Sequence, residues 1–260
     1  MRPRASAIVL LLVLVFLIGP FLIIVAASLS AGETLAFPPR GLSLRWFAKV
    51  FEVESFRASF LLSLGLAIGA TVAALCLGIP AAYALSRYKV PFGETLRTIV
   101  SSPIIVPGIV NNALTALGLT DQPIRILFSE TAVFIGLLQL LLPLMIISLV
   151  SALENLPRDA ISAARVLGAN GFQTFWKVVL PLTREGLAIG GTLVFAGSMT
   201  AYITPAVLGG SKVLMLETLL YQRVSVANDI VSAGVIAFIL IVLSFSANLL
   251  MKRIAKARSA

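Results

Sequence analysis

Long apolar runs alternate along this chain with short polar stretches rich in glycine and proline, and the length of each run decides what it can form. A helix rises about 1.5 Å per residue, so about 20 apolar residues cross the roughly 30 Å of hydrocarbon in a bilayer. Six stretches reach that length: 8–29, 59–85, 97–118, 131–152, 185–208 and 230–251. The pattern predicts an all-α polytopic membrane protein with six transmembrane helices. Residues 1–260 are expected to form one transmembrane domain, without a second domain or an internal repeat. An even number of spans places both termini on the same side.

The spans differ in character. In the second, Gly65 and Gly69 stand four apart among alanines and serines, a spacing that lets another helix backbone approach closely. The same span carries Cys76, the only cysteine, expected to be a buried small hydrophobe, and Pro80, expected to kink the helix. Pro103 and Pro107 each remove a helical hydrogen bond from the third span, and Asn111 and Asn112 put two amides near mid-depth. Such groups are tolerated in hydrocarbon when buried in protein or lining water, so Asn111 and Asn112 either bind helices together or line a pathway. Gln139 and Pro143 pose the same choice in the fourth. The fifth contains Gly190, Gly191, Gly197 and Ser198 as a small-residue interface and ends near Tyr202, a third candidate pathway residue. Between spans one and two, Leu44, Trp46, Phe47, Val50 and Phe51 form an amphipathic stretch suited to the membrane surface, with Trp46 expected as a headgroup anchor.

Composition and charge then narrow the class. With 59% hydrophobic residues, 12% charged and a mean hydropathy of +1.04, an ordinary soluble domain is excluded. Lysine and arginine near span ends are retained in the cytoplasm. They cluster before span one (Arg2, Arg4), between spans two and three (Arg87, Lys89, Arg97), between four and five (Arg158, Arg165, Lys177, Arg184) and after six (Lys252, Arg253, Lys256, Arg258). Both termini and the 153–184 loop are therefore expected in the cytoplasm. On the other face seven basic residues meet seven acids, so the net +9 resides on the inner side and speaks for contact with lipid headgroups, not nucleic acid. The first apolar run is longer than a secretory signal core, so span one is expected to be retained. No charged residue interrupts 59–85, 98–118, 131–152, 186–208 or 230–251. A cationic solute would find acids only outside the spans, among them Asp121, Glu130, Glu217 and Asp229, which could form a mouth that attracts cations.

The 153–184 loop is the long polar-amphipathic segment between two apolar spans. Pro157 and Asp159 suit a helix start, with Asn155 or a neighbour as its cap. Ile161, Ala164 and Leu167 or Gly168 recur at helical spacing, and Gly168-Ala-Asn-Gly171 is a stop with two glycines free to take positive φ. A second apolar face follows in Phe172, Phe175, Trp176 and Val179. Ala163, Ala164, Gly168, Val178, Leu180 and Pro181 keep every spacing of a cytoplasmic signature loop: Glu-Ala-Ala, three residues, Gly, nine residues, Ile, one residue, Leu-Pro. The chain thereby resembles the permeases of binding-protein-dependent ABC importers, with Ser162 in place of the Glu and Val178 in place of the Ile. Tyr202–Gly210, Lys212–Glu217 and Leu220–Gln222 further resemble the outer loop of spermidine and putrescine permeases.

That resemblance implies a permease of a bacterial inner membrane, carrying a polyamine or related small solute. It implies a cytoplasmic coupling helix between spans four and five, with Asp159, Ser162, Ala163, Ala164, Gly168 and Pro181 as ATPase-coupling residues. The implied partners are P-loop ATPase subunits, a second permease subunit of different sequence and an external substrate-binding protein. The absent chemistry is consistent with a non-enzyme without a cofactor of its own. There is no histidine for acid–base or zinc chemistry, and no Gly-x-x-x-x-Gly-Lys-Ser/Thr loop for a nucleotide, so an ATP-driven system needs the nucleotide elsewhere. The alternative, a secondary transporter without an ATPase, is expected to show internal repeats and intramembrane ionisable groups.

Overall fold

The computed structural model describes residues 3–32, 41–87 and 127–256. Their regular structure is helical, apart from one β-bridge between Ser30 and Leu42. Four helices are long and apolar enough to cross a bilayer: α1 (Pro3–Ser28), α3 (Glu54–Arg87), α4 (Glu130–Glu154) and α10 (Ile230–Lys256). A bent pair, α6 (Gly171–Leu182) and α7 (Arg184–Met199), meeting at 66°, passes the same test only when taken together, so the described residues hold four or five such spans. Shorter helices connect them: α2 (Arg45–Glu52), α5 (Arg158–Val166), α8 (Ile203–Leu208) and α9 (Leu216–Ser225). The chain is thus an all-α polytopic membrane protein. The expected third span, with Asn111 and Asn112, lies outside the described residues.

Contacts divide the chain into two compact units. One comprises Met1–Leu61 with Leu216–Val242. Here α1 is apolar on every side and buries no residue between Val9 and Ile23 within the chain, as suits a helix whose solvent is lipid. Only its end packs, with Ala27 and Ser28 against the start of α10 at Gly234. Trp46 is 6% exposed and its indole N–H donates to the Gly32 carbonyl at 3.1 Å. It is an internal packing residue of this unit where the sequence suggested an anchor at the headgroups. The reason is that α2 turns Trp46 and Val50 inward and Phe47 edge-on to Phe238 of α10, with ring centroids 5.5 Å apart.

The other unit comprises Leu62–Met215 with Leu243–Ala260. Its core is a seam of small and large side chains: Ala70, Ala74 and Ala82 of α3 receive Leu141, Met145 and Leu149 of α4 and Val194 of α7. Met145 is fully buried, and its side chain lies over Gly78 of α3 and Gly190 of α7 where a Cβ would sit 2.8 and 2.6 Å away. Small residues admit the partner backbone, which is how packing holds helices together when apolar burial distinguishes little between lipid and protein. Among the described residues the Gly65/Gly69 pair meets no partner backbone. Nothing lies within 4 Å of a Cβ placed on Gly65, and one on Gly69 meets only the ring edge of Phe134, at 3.2 Å. The close approaches fall instead at Gly78, Gly136, Gly186, Gly190 and Gly197. Cys76, expected to be buried, is exposed on the flank of α3 beside Leu77.

The fifth stretch is not one continuous helix. After 16 residues, about 24 Å of rise, α7 stops at Met199; Thr200 returns its hydroxyl to the Ala196 carbonyl at 2.9 Å, and the chain restarts as α8 at Ile203. Pro205 explains the restart, because a proline is accommodated in the first turn of a helix but not in the interior of one.

Candidate functional site

The loop joining α4 to α7 is built by a succession of local caps. Asn155 ends α4 and does not start α5: its side-chain amide donates back to the Ser151 carbonyl at 2.8 Å. Pro157 then begins the new turn, the Ala160 amide donating to the Pro157 carbonyl at 3.2 Å. The other end of α5 is closed by Gly168 at φ +82°, with the Ala169 amide donating to the Ala164 carbonyl at 3.0 Å, the six-to-one bond of a glycine-terminated helix. Gly171, the second glycine of the stop signal, is instead the first residue of α6. Asn170 caps that helix through a reciprocal pair, its side-chain carbonyl accepting from the Gln173 amide at 2.8 Å while the Gln173 side chain accepts from the Asn170 amide at 3.1 Å.

Between these caps α5 has two faces. Ala160, Ile161 and Ala164 are turned partly inward, while Asp159, Ser162, Ala163, Val166 and Leu167 are exposed. Those five occupy positions i, i+3, i+4, i+7 and i+8, one continuous helical stripe. Val166 is 88% exposed and Leu167 86%. On α6, Thr174 and Val179 point inward and Phe175 packs edge-on to Tyr83 of α3 at 5.1 Å, leaving Phe172, 73% exposed, and Trp176 outside. Phe175–Val179 forms a π-helical turn inside α6. Four large apolar side chains therefore stand outside the chain on one loop, a feature that marks an interaction surface.

Among the residues singled out from sequence, Asp159, Ser162 and Ala163 share the exposed stripe. Ala164 faces the other way, and Gly168 ends the helix with nothing among the described residues within 4 Å of the point a Cβ would occupy. Pro181 sits in the last turn of α6, at the bend into α7, apart from the stripe in sequence. Sequence reasoning missed Val166 and Leu167 as surface residues. Their signal was present, since they fall three and four positions after Ala163. Tyr202 immediately precedes α8 at the break after α7 and is half-buried. Of the acids singled out from sequence, Asp229 accepts from the Ser232 amide at 3.1 Å and lies 3.9 Å from Arg223. Burial pushes the Glu217 carboxyl above its ordinary value. Among the described residues no three His, Cys, Asp or Glu side chains come together as a metal site requires.

Residues 74–259 match the family described as binding-protein-dependent transport system inner membrane component. The chain belongs to this family. It is an ABC importer permease, a non-catalytic transmembrane subunit, and the secondary-transporter alternative falls with that assignment. Among its relatives is the spermidine/putrescine transport system permease protein PotB of Haemophilus influenzae, 32% identical over 95% of this chain and 94% of that protein. PotB of Escherichia coli is 33% identical over 77% of this chain and 78% of its own length. The molybdenum transport system permease protein ModB of Mycobacterium tuberculosis is 30% identical over 71% of this chain and 75% of its own. The permease also shares its fold with a chain of a bacterial alginate ABC transporter solved in complex with an alginate pentasaccharide-bound periplasmic protein. That match has a TM-score of 0.72 and covers 98% of this chain and 94% of the other at 16% identity.

Proposed function

We propose that this permease forms, with a second and different permease chain, the pathway of an importer for a polyamine or closely related small solute. An external binding protein delivers the solute and a separate P-loop ATPase drives the cycle. Six spans carry both termini and the 153–184 loop on the cytoplasmic side of a bacterial inner membrane, the third span being 97–118. The stripe of Asp159, Ser162, Ala163, Val166 and Leu167 on α5 docks into the ATPase and couples the two subunits. The observation that carries this reading is the exposure of Val166 and Leu167 at the end of a capped, pre-formed helix, because leaving two large aliphatic side chains in water is unfavourable unless a partner covers them.

The polyamine assignment is supported by PotB relatives that span nearly the whole chain and by the similarity at 202–222. The spans lack charge, so this subunit offers a neutral passage past Asn111, Asn112 or Tyr202. Selection falls to the binding protein or to acids on the partner permease. The test is ATPase activity of the assembled complex with its binding protein loaded with spermidine or putrescine. Stimulation by the polyamine-loaded form, lost in Leu167→Glu while the variant still inserts, is the expected result. Full stimulation of Leu167→Glu overturns the docking role, and stimulation only by a different solute overturns the substrate. A switch in the solute carried by Asn111→Ala or Asn112→Ala places selectivity in this chain.

A further inference from the structure

A cavity of about 90 Å³ opens in the unit formed by α1, α2, the start of α3, α9 and the start of α10. That is room for several waters or a phosphate-sized group. Its apolar lining is Val50 of α2, Val53, Phe56 of α3, Leu219 of α9 and Ile236 of α10. Lys49, Arg223, Asp229 and Ser232 supply the polar lining, and Trp46 forms a wall.

The electrostatics favour an anion. Arg223 and Asp229 lie 3.9 Å apart and offset each other. Lys49 has no carboxylate within ion-pair distance among the described residues; its ammonium rests over the Trp46 ring, 4.6 Å from the centroid. Two cations against one carboxylate leave the lining net positive. A polyamine would meet Lys49 and Arg223 and find one carboxylate that Arg223 already occupies, so the cavity is no stage of the solute's route.

Depth then decides what kind of anion. Phe56 is two residues into α3, and Ser232 and Ile236 are two and six residues into α10, so the lining lies within about 9 Å of the point where both spans begin. A cavity at the start of two apolar spans is near lipid headgroups, and its lining combines cationic, aromatic and apolar side chains. We infer that the cavity binds the headgroup of one membrane phospholipid, its phosphodiester held by Lys49 and Arg223.

The experiment uses the full-length chain purified in a non-ionic detergent, with lipid counted by native mass spectrometry and thermal stability followed as phosphatidylglycerol is added. Lys49 is exposed and makes no ion pair among the described residues, so its variants are expected to fold. Wild type should retain about one phospholipid and gain stability on addition. Lys49→Glu should lose at least tenfold in apparent affinity, and Lys49→Arg should keep it. Equal retention and equal stabilisation in wild type and Lys49→Glu overturn the inference. So does equally tight binding of glycerol 3-phosphate or inorganic phosphate, which would make this a site for a soluble anion. Neither outcome touches the transport reading, whose readout is ATPase stimulation.

Discussion

Gly186 and Gly65 carry the same residue in spans of the same unit, and the structure requires the same substitution to act on them with opposite sign. A Cβ at Gly186 would meet the Cβ of Ala152, and the carbonyl oxygen of Ser148 at 3.0 Å. Neither is the end of a flexible side chain. The Ser148 hydroxyl also donates to the Gly186 carbonyl at 2.9 Å, so the two helices are pinned where the methyl must fit. Alanine at 186 therefore has to push α4 from α7, at a cost of about 1–3 kcal/mol. A Cβ at Gly65 meets nothing within 4 Å among the described residues, so Gly65→Ala keeps those contacts and restricts the backbone, worth up to about 1 kcal/mol in its favour. For a chain of this size each kcal/mol moves the midpoint by about 2–4 °C. Thermal unfolding of the purified chain should show Gly186→Ala lowered by about 2–12 °C and Gly65→Ala unchanged or slightly raised. Adding Ala152→Gly to Gly186→Ala should recover part of the loss, because it removes the nearest obstacle. Equal shifts for the two glycines, or no recovery from Ala152→Gly, would refute the packing argument.

Three further outcomes are expected. Gly168 holds φ +82° with no described neighbour within 4 Å of a Cβ, so Gly168→Ala should cost about 1–2 kcal/mol in forming the loop and reduce ATPase coupling, whereas Gly168→Asn, which tolerates that backbone, should lose less; equal coupling in both would refute a conformational role. In a Cys76→Ser background, Ser211→Cys should react with an impermeant thiol reagent added to intact cells and Ser162→Cys should not; the reverse pattern inverts the topology. Glu217 is raised by burial, so the native state holds the ionised form less readily than the unfolded chain, and the penalty is present above the folded pKa and fades as pH falls below the unfolded value. Glu217→Gln should accordingly be more stable than wild type at pH 8 and match it near pH 4; a Gln variant that is less stable at pH 8 would show that the charge itself is needed.

The spans that are described were legible in the sequence because their signal is length. A run of 20 or more apolar residues has little alternative to a helix in lipid, so α1, α3, α4 and α10 fall where the pattern placed them. The α5 helix was equally legible from Pro157 at its start and Gly168 at its end, since caps are local chemistry between residues a few positions apart. What faced what was not. Gly65 and Gly69 have the spacing of a helix contact, and Gly186 and Gly190 have it too, but only the approach of Ala152, Ser148 and Met145 makes the second pair the notch. Trp46 has the composition of a headgroup anchor, yet the Gly32 carbonyl, fourteen residues away, draws its indole inward. Cys76 lies outward because the alanines of its own helix, Ala70, Ala74 and Ala82, take the inward positions. A single periodic face on 161, 164 and 167 suggested itself on α5, but packing covers Ile161 and Ala164 and leaves Leu167 outside. Apolar periodicity tells which residues share a stripe. In a chain surrounded by lipid and by partner subunits, nearly every stripe is apolar, so only the tertiary contacts decide which one is buried.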